Sequence, residues 1–350
     1  MVRQIILFLF ILILPMMNFA DEGELSKETA PVDSLTVNKT IISSEQIDRL
    51  PVRDFQSVIA NRPGLSIHNN DIHIRGGREN EVGFYINGIS ATNPVTNRNA
   101  VYVIPEAIDY LQIWPGNFNA EMGGYISGII NSELKSGGSK LKGSVDFRID
   151  GFGNPEKGIK WFDTYVYGHQ TGVATLSGPL MSDKINFFVA GEYRRRKDNA
   201  VRFSKGFEFK NLTDMSVYVD SHEDSINLSY PDGFTPHQEF LGRSVNATIT
   251  FDLPVKITLN ALYQNNRTDV CTAPMLNALN DRIPYNDYTS TLLTSKFTKR
   301  LGDQSLLEVQ LSYFSSESER GDSWFGHDWK KWYDSTAVRN YTENHYEEPV

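Results

Sequence analysis

Three stretches decide the fold: Ile72–Gly77 (IHIRGG), Tyr85–Ile89 (YINGI) and Gly116–Asn131 (GNFNAEMGGYISGIIN). Each contains a short apolar run that meets Gly or Asn, the residues that tolerate a positive φ most readily. Short apolar runs between sharp corners predict a small β-rich unit with little room for a long helix.

The order and spacing of these stretches resemble the plug domain of TonB-dependent outer-membrane receptors. In that family an I-R-G element, an (I/V)-(D/N)-G-(I/V) element and a spaced glycine series before I-N follow one another. The resemblance covers about residues 43–143, and the matching residues are Arg75, Gly76, Asn87, Gly88, Gly116, Gly123, Gly124 and Asn131. It implies an α+β plug domain, a small mixed sheet with short helices, followed by antiparallel transmembrane β-barrel strands.

Two positions depart from the family pattern. The residue before Gly116 is usually Arg and is Pro115 here, and the residue before Gly123 is usually Tyr and is Met122 here. The glycines stay in register, so the expected fold is unchanged. In the family a charged contact joins the plug to the barrel wall at this position. Whether this chain forms such a contact is undecided, because Pro115 carries no charge.

Local signals predict the elements of the plug. Ser43 and Asp54 are expected to cap two short helices, the second of which would bury one apolar face. Four short strands are expected at residues 65–67, 73–75, 84–87 and 111–114. Arg75, at the end of a buried strand, needs either a carboxylate or carbonyl partner or access to water.

The N-terminus has the layout of a secretory signal peptide. Arg3 precedes an apolar run over residues 5–17, and Ala20 is the last small residue before Asp21 and Glu22. The run is shorter than the roughly 20 apolar residues of a membrane-spanning helix. Cleavage after Ala20 is therefore expected, with an uncleaved membrane anchor as the alternative.

Composition argues against several functional classes. The net charge of −9 argues against nucleic acid as a partner, and the single Cys271 excludes an intramolecular disulfide framework. The seven His residues show no pair at metal-ligand spacing, so no metal site is expected. Hydrolase motifs such as G-x-S-x-G and H-E-x-x-H are missing from the sequence, so neither enzymatic activity nor a cofactor is expected.

The second half of the chain alternates apolar and polar residues. Val245, Ala247, Ile249 and Phe251, for example, alternate with Asn246, Thr248, Thr250 and Asp252. Tight turns are expected at 179–184, 253–254 and 301–304, and long polar connections at 197–243 and 267–284. This asymmetry is typical of an outer-membrane barrel with its long loops outside, and a soluble β-sandwich is the alternative.

The chain length limits how many strands the barrel can have. Residues after 143 can supply roughly seven to nine strands, whereas plugged transporters need about 22. We therefore expect an N-terminal piece of a longer receptor in which the barrel is incomplete. The expected domains are a signal peptide (1–20), a periplasmic tail (21–42), a plug (43–140) and the first barrel strands (141–350).

The resemblance also implies function and partners. In the family, ligand binds at the outer loops and plug apices while TonB pulls on a short N-terminal segment. We therefore expect energy-coupled uptake of a small polar ligand, such as a metal chelate or an oligosaccharide, by a protein seated in the lipid of a Gram-negative type outer membrane. An adhesin or structural surface protein that retains the plug without transport is the alternative.

The resemblance also implies two sets of candidate residues, of which the apices are placed by motif offset. The candidate TonB box is the β-prone run Asp33, Ser34, Leu35, Thr36 and Val37. The expected ligand-facing apices are Asn69, Asn70, Arg78, Glu79, Asn80, Asn93, Asn97 and Arg98. Their amides and charges suit a polar ligand, although exposed turns commonly have the same composition.

Overall fold

A computed structural model describes most of the chain after residue 38. The described residues are 39–50, 54–60, 62–68, 71–116, 118, 122–150, 160–161, 164–165, 168–180, 184–197, 203–204, 207–213, 225–230, 233–234, 237–270, 283–302 and 305–345. The expected signal peptide, the candidate TonB box and the apex residues Asn69 and Asn70 lie outside these ranges. They remain sequence-based predictions.

The first half of the chain forms the plug. Its elements are β1 (Thr40–Ser43), α1 (Ser44–Arg49), α2 (Phe55–Ala60), β2 (Leu65–His68), β3 (Asp71–Ile74), β4 (Val82–Ile86), β5 (Ile89–Ser90), β6 (Ile108–Trp114) and β7 (Gly128–Leu134), with 3-10 turns at Glu79–Glu81 and Pro105–Ala107. Five strands form the plug sheet in the order β1-β6-β7-β4-β5, and β2 and β3 form a separate hairpin. The β4–β7 pair is parallel and its neighbours are antiparallel, which confirms the expected mixed sheet.

Both predicted helix caps are present. The Ser43 hydroxyl accepts a hydrogen bond from the Gln46 N–H at 3.4 Å, and the Asp54 carboxylate accepts one from the Ser57 N–H at 2.9 Å. The apolar face of α2 is buried as expected, with Phe55 the largest of its side chains. Helix α1 packs against β1 and β6 of the plug sheet, and α2 packs against the β2–β3 hairpin. Isoleucine is the most frequent residue of the core.

The predicted strands are confirmed in position, but two of them end earlier than expected. Strand β3 stops at Ile74 and β4 stops at Ile86 because the next residues, Arg75 and Asn87, have φ values of 50° and 51°. A positive φ takes the backbone out of the extended region. Strands β1 and β7 were outside the four predicted strands.

Asn87 and Gly88 form the turn within the second sequence stretch, Tyr85–Ile89. Both residues have positive φ, and the flanking residues Ile86 and Ile89 pair across the β4–β5 hairpin. Positive φ at both central positions is the type I′ turn that two-residue hairpins favour, and Asn-Gly is its preferred sequence. The motif therefore specifies a tight corner at one edge of the plug sheet.

The second half of the chain contains β8 (Lys142–Ile149), β9 (Lys160–Trp161), β10 (Thr164–Tyr165), β11 (Gln170–Pro179), β12 (Ile185–Arg196), β13 (Phe203–Ser204), β14 (Phe207–Thr213), β15 (Ser225–Tyr230), β16 (Gly233–Phe234), β17 (Phe240–Asp252), β18 (Lys256–Asp269), β19 (Pro284–Gly302), β20 (Ser305–Asp322), a 3-10 turn (Trp329–Tyr333) and α3 (Ser335–His345). Seven of these strands form an antiparallel sheet in the order β20-β19-β18-β17-β12-β11-β8, here called the wall sheet. Its two outer strands, β8 and β20, each pair on one side only within the described residues.

Loop positions agree in part with the prediction. Residues 253–255 form the expected tight turn between β17 and β18. The connection expected at 197–243 is shorter, because β17 already begins at Phe240, and it contains the β13–β16 and β14–β15 ladders. Strands β19 and β20, with 19 and 18 residues, are also longer than the roughly ten expected, since both continue past the apolar rows into a charged stretch.

Among the described residues, no helix combines the length and apolar character that crossing a membrane requires.

The wall sheet is apolar outside and polar inside. On β17 the polar residues Ser244, Asn246, Thr248 and Thr250 are buried, whereas the alternating Val245, Ala247, Ile249 and Phe251 are more exposed. The buried polar face lies on the plug. A soluble β-sandwich would bury its apolar face instead, so the sandwich alternative is wrong and a partial barrel wall around a plug is the observed architecture.

The close approach of β7 to its neighbours gives a test of the plug fold. A Cβ added at Gly128 would lie 2.7 Å from both the Trp114 carbonyl oxygen and the Ile74 Cδ1 atom. We expect Gly128→Ala to destabilise the plug by about 1–3 kcal/mol, because the backbone must shift to relieve this overpacking. The measurement is the urea midpoint at which the plug becomes sensitive to trypsin.

Gly138→Ala is the matched control, because a Cβ at Gly138 meets no atom within 4 Å. Its urea midpoint should equal that of the unmodified protein. Equal midpoints for Gly128→Ala and Gly138→Ala would contradict the packing described for β7.

Candidate functional site: the plug-to-wall contact and the plug apices

An extended plug segment, Ala100–Ile104, lies buried against the inner face of the wall sheet. The Gln264 side chain accepts a hydrogen bond from the Tyr102 N–H at 2.9 Å and donates one to the Ala100 carbonyl at 3.3 Å. The Asn246 side chain accepts from the Ile104 N–H at 2.7 Å and donates to the Tyr102 carbonyl at 3.4 Å. We call Gln264 and Asn246 the amide clamp, because each holds one N–H and one carbonyl of the segment.

A second contact joins the Asn-Gly corner to the wall. The Asn87 amide donates to the Asn260 side chain at 3.1 Å, and its oxygen accepts from the Leu134 N–H at 2.8 Å. Asn260 is held in turn by Thr248 and Thr294 on neighbouring strands, at 3.0 Å and 2.8 Å. The motif residue Asn87 therefore links β4, β7 and the wall.

The charged side chains at the plug-to-wall contact pair with each other on the wall sheet. Glu192 and Arg194, two residues apart on β12, form an ion pair, and the Tyr102 hydroxyl donates to the Glu192 carboxylate at 3.3 Å. The Arg194 guanidinium lies 3.9 Å from the centre of the Tyr102 ring. Burial raises the pKa of Tyr102, so the plug contributes a neutral phenol to this contact.

The structure separates the motif residues into two groups. Asn87 and Asn131 are buried and Gly88 is half-buried, and the Asn131 side chain accepts from the Gly88 N–H at 3.1 Å. Arg75, Gly76, Gly123 and Gly124 are exposed, whereas Gly116 is half-buried. Positive φ values at Gly76, Gly116 and Gly124 show that several of these positions form corners.

Arg75 takes the water-exposed alternative. Its N–H donates to the Gly64 carbonyl at 2.7 Å, while its side chain is exposed and forms no ion pair within the described part of the chain. It lies near Gly116, where an added Cβ would be 3.8 Å from Arg75 Nη1. The plug-to-wall contacts described above therefore involve neither Arg75 nor Pro115.

The structure brings together two of the predicted apices. The Arg98 guanidinium contacts the carboxylates of Glu79 at 2.5 Å and Asp71 at 3.4 Å. The Arg98 hydrogen bond lowers the pKa of Glu79. The Asn93 side chain accepts from the backbone of its own loop, at Val95 and Thr96. These groups stabilise the apices themselves.

Other predicted apex residues are open to solvent. Arg78, Asn80 and Asn97 are exposed. The side chain of Asn93 also contacts Tyr288, four residues from the start of β19. The apices therefore lie toward the end of the wall sheet that carries the long connections.

Sequence reasoning missed the wall partners of the plug. Asn246, Asn260 and Gln264 occupy strands that were predicted only as alternating patterns, and Tyr288 lies on β19, for which no pattern was predicted. The available signal was that the polar positions of β17 and β18 contain amides, which can donate and accept at once, rather than charged side chains. The sequence alone does not show which plug backbone group each amide would meet.

The amide clamp gives a direct prediction. Asn246→Ala leaves the Ile104 N–H and the Tyr102 carbonyl without their wall partner, a change that costs about 1–3 kcal/mol. We expect amide exchange in residues 100–104 to become roughly ten- to a hundredfold faster, measured by hydrogen–deuterium exchange and mass spectrometry. Asn265→Ala is the control, because Asn265 bonds Thr289 on the opposite face of the sheet. Unchanged exchange in Asn246→Ala would contradict the clamp.

Comparisons with known proteins agree with this architecture. Residues 31–129 match the family model described as TonB-dependent Receptor Plug Domain. The chain is 28% identical over 223 residues to the TonB-dependent transporter Oar of Myxococcus xanthus, covering 59% of this chain and 21% of that protein. It is 25% identical over 191 residues to the probable TonB-dependent siderophore receptor PirA of Acinetobacter baumannii, covering 47% and 24%. The matches thus span about a quarter of the length of these relatives.

Among solved structures, the outer membrane transporter YddB from Escherichia coli shares the fold. The TM-score is 0.56 at 14% sequence identity, over 83% of this chain and 40% of that chain. Residues 31–129 thus match a plug domain, and the named relatives and the shared fold make the chain similar to TonB-dependent outer-membrane receptors, with an antiparallel sheet that resembles part of their β-barrel.

Proposed function

We propose that the protein takes up a polar ligand of the metal-chelate class across an outer membrane by energy coupling to TonB. The observation that carries this proposal is the seating of the plug on the polar face of the wall sheet through the amide clamp. A siderophore receptor among the relatives favours a metal chelate over the oligosaccharide that the sequence also allows.

The chemistry of the clamp suits a plug that must move. Its hydrogen bonds join neutral amides to backbone groups, and each such bond contributes about 0.5–1.5 kcal/mol net. Water entering the gap can replace neutral hydrogen bonds, whereas separating a buried ion pair leaves uncompensated charges. The Glu192–Arg194 pair lies entirely on β12, so moving the plug does not separate it.

The apices supply the proposed ligand-facing surface. Arg78, Asn80 and Asn97 expose hydrogen-bonding groups there, while Arg98 is held by Glu79. A guanidinium next to amides suits an anionic or oxygen-rich chelate, since Arg donates several hydrogen bonds in a fixed plane. We include Asn69 and Asn70 in this surface from the sequence.

Energy coupling is proposed to act through residues 33–37, after export and cleavage of the signal peptide behind Ala20. This run lies just before β1, the edge strand of the plug sheet. A strand of TonB would pair with it through backbone hydrogen bonds, a mode of binding called β-augmentation. A pull on the run would then reach the plug through β1.

Proline substitutions test this coupling. Leu35→Pro and Val37→Pro each remove a backbone donor and fix φ, so we expect TonB-dependent uptake to fall to background while surface binding is kept. The measurement compares uptake and surface binding of radioactive iron loaded onto siderophores, by cells that express the full-length receptor. Loss of binding in these variants would contradict a purely coupling role for the run.

Leu35→Ala and Val37→Ala are the matched controls, because alanine keeps the backbone donor and should preserve uptake. Uptake at the unmodified rate in both proline variants would show that the run is not the coupling segment. Uptake that stays at background both with and without TonB would instead favour the non-transporting surface protein.

A further inference from the structure

One of the plug apices is a loop, residues 93–99, that is closed at its base; we call it the apex loop. Thr92 and Asn99 pair as an isolated antiparallel bridge, and the Ala100 N–H donates a hydrogen bond to the Ala91 carbonyl at 3.0 Å. A compact surface loop whose two ends are paired moves largely as one body. A force on its exposed residues therefore reaches its base at Ala100.

Tyr288 of the wall contacts both ends of the apex loop. Its hydroxyl donates a hydrogen bond to the Ala100 carbonyl at 2.9 Å, and the Asn93 side chain contacts the same hydroxyl. Tyr288 lies on β19, paired with Asn266 of β18 and Ser318 of β20, so the neighbouring strands fix its position. Tyr288 thus holds the base of the apex loop to the wall sheet.

The Ala100 carbonyl also belongs to the amide clamp. It accepts a hydrogen bond from the Gln264 side chain at 3.3 Å as well as the one from Tyr288, which its two lone pairs allow. The Gln264 side chain in turn accepts from the Tyr102 N–H at 2.9 Å. A shift of the Ala100 carbonyl therefore changes a bond of the clamp itself.

Two routes connect Asn93 with the clamp. Among the residues that the structure describes, the Asn93 side chain contacts Tyr288 and its own loop but neither Gln264 nor Asn246. One route therefore passes through the Tyr288 hydroxyl, and the other follows the backbone from residue 93 to residue 100. The Tyr288 route is the shorter one, since a single hydroxyl joins Asn93 to the carbonyl that Gln264 holds.

We infer that Tyr288 couples the ligand-facing apex loop to the amide clamp. A ligand that draws the loop away from the wall separates the Tyr288 hydroxyl from Asn93 and from the Ala100 carbonyl, and the bond of that carbonyl to Gln264 is strained in the same movement. Tyr288 acts through Ala100, so it is a positioning residue and not a ligand contact. The inference rests on the proposed function, in which a ligand loads the apex loop.

A double-mutant cycle tests the coupling without any ligand. Asn93→Ala, Tyr288→Phe and the double variant are made in the full-length receptor, extracted in mild detergent, and amide exchange in residues 100–104 is followed by mass spectrometry. Each single change should speed this exchange about threefold to tenfold, as expected for the loss of neutral hydrogen bonds. The double variant should exchange no faster than Tyr288→Phe alone, because the route from Asn93 is already broken.

Tyr263→Phe is the matched control. Tyr263 lies on β18 with its side chain on the outer face, 43% exposed, so the change removes a tyrosine hydroxyl that does not touch the plug. Exchange in residues 100–104 should stay at the unmodified rate in Tyr263→Phe. Asn93→Ala should keep its full effect when it is combined with Tyr263→Phe.

Cells that express the full-length receptor provide a second measurement. Tyr288→Phe should keep surface binding of iron-loaded siderophores while the uptake rate falls about fivefold, because ligand at the apex loop no longer acts on the clamp. A residue that only stabilised the plug would lower binding and uptake together.

The outcomes separate the inference from the proposed function. Effects of Asn93→Ala and Tyr288→Phe that multiply in the double variant would show that the backbone is the route, and would overturn the inference. Uptake at the unmodified rate in Tyr288→Phe would overturn it as well. An intact cycle in a receptor that takes up nothing, with or without TonB, would overturn the proposed function and leave the coupling of loop and clamp in place.

Discussion

The structure depends on the need to cover the polar inner face of the wall sheet. Ser244, Asn246, Thr248 and Thr250 point inward from β17 while their apolar neighbours point outward. Buried polar groups are costly unless they are hydrogen-bonded, so this sheet needs a polar partner within it. The plug is that partner for Asn246, whereas Thr248 bonds Asn260 within the wall and the hydroxyls of Ser244 and Thr250 have no hydrogen-bond partner among the described residues. The same alternation that suits the outer face to lipid therefore also fixes where the plug must lie.

The partner that the wall recognises is mostly backbone. Asn246 and Gln264 bond the main chain of segment 100–104, and Asn260 bonds the motif residue Asn87. Recognition of backbone by neutral amides holds the plug without tying it to the wall through charge. This arrangement supports the proposed function, in which the plug is held at rest and displaced by force from the N-terminal side.

The sequence predicted features that are encoded locally. The caps at Ser43 and Asp54, the Asn-Gly corner and the alternation of β17 each depend on neighbours in the chain, and the structure confirms them. Features that depend on distant residues were missed or misplaced. Strand β1 is defined by its pairing with the distant β6, and the partners of the wall amides lie more than a hundred positions away.

The orientation of the wall sheet, with its apolar face toward lipid, can be measured at two neighbouring residues of β20. Leu311 belongs to the outer face and Ser312 to the inner face, opposite Thr294. With Cys271 replaced by Ser, a fluorophore is attached to Leu311→Cys or Ser312→Cys in full-length protein reconstituted into vesicles with brominated lipid. The observed orientation of the sheet predicts strong quenching at position 311 and little at position 312. Equal quenching, or stronger quenching at position 312, would contradict it.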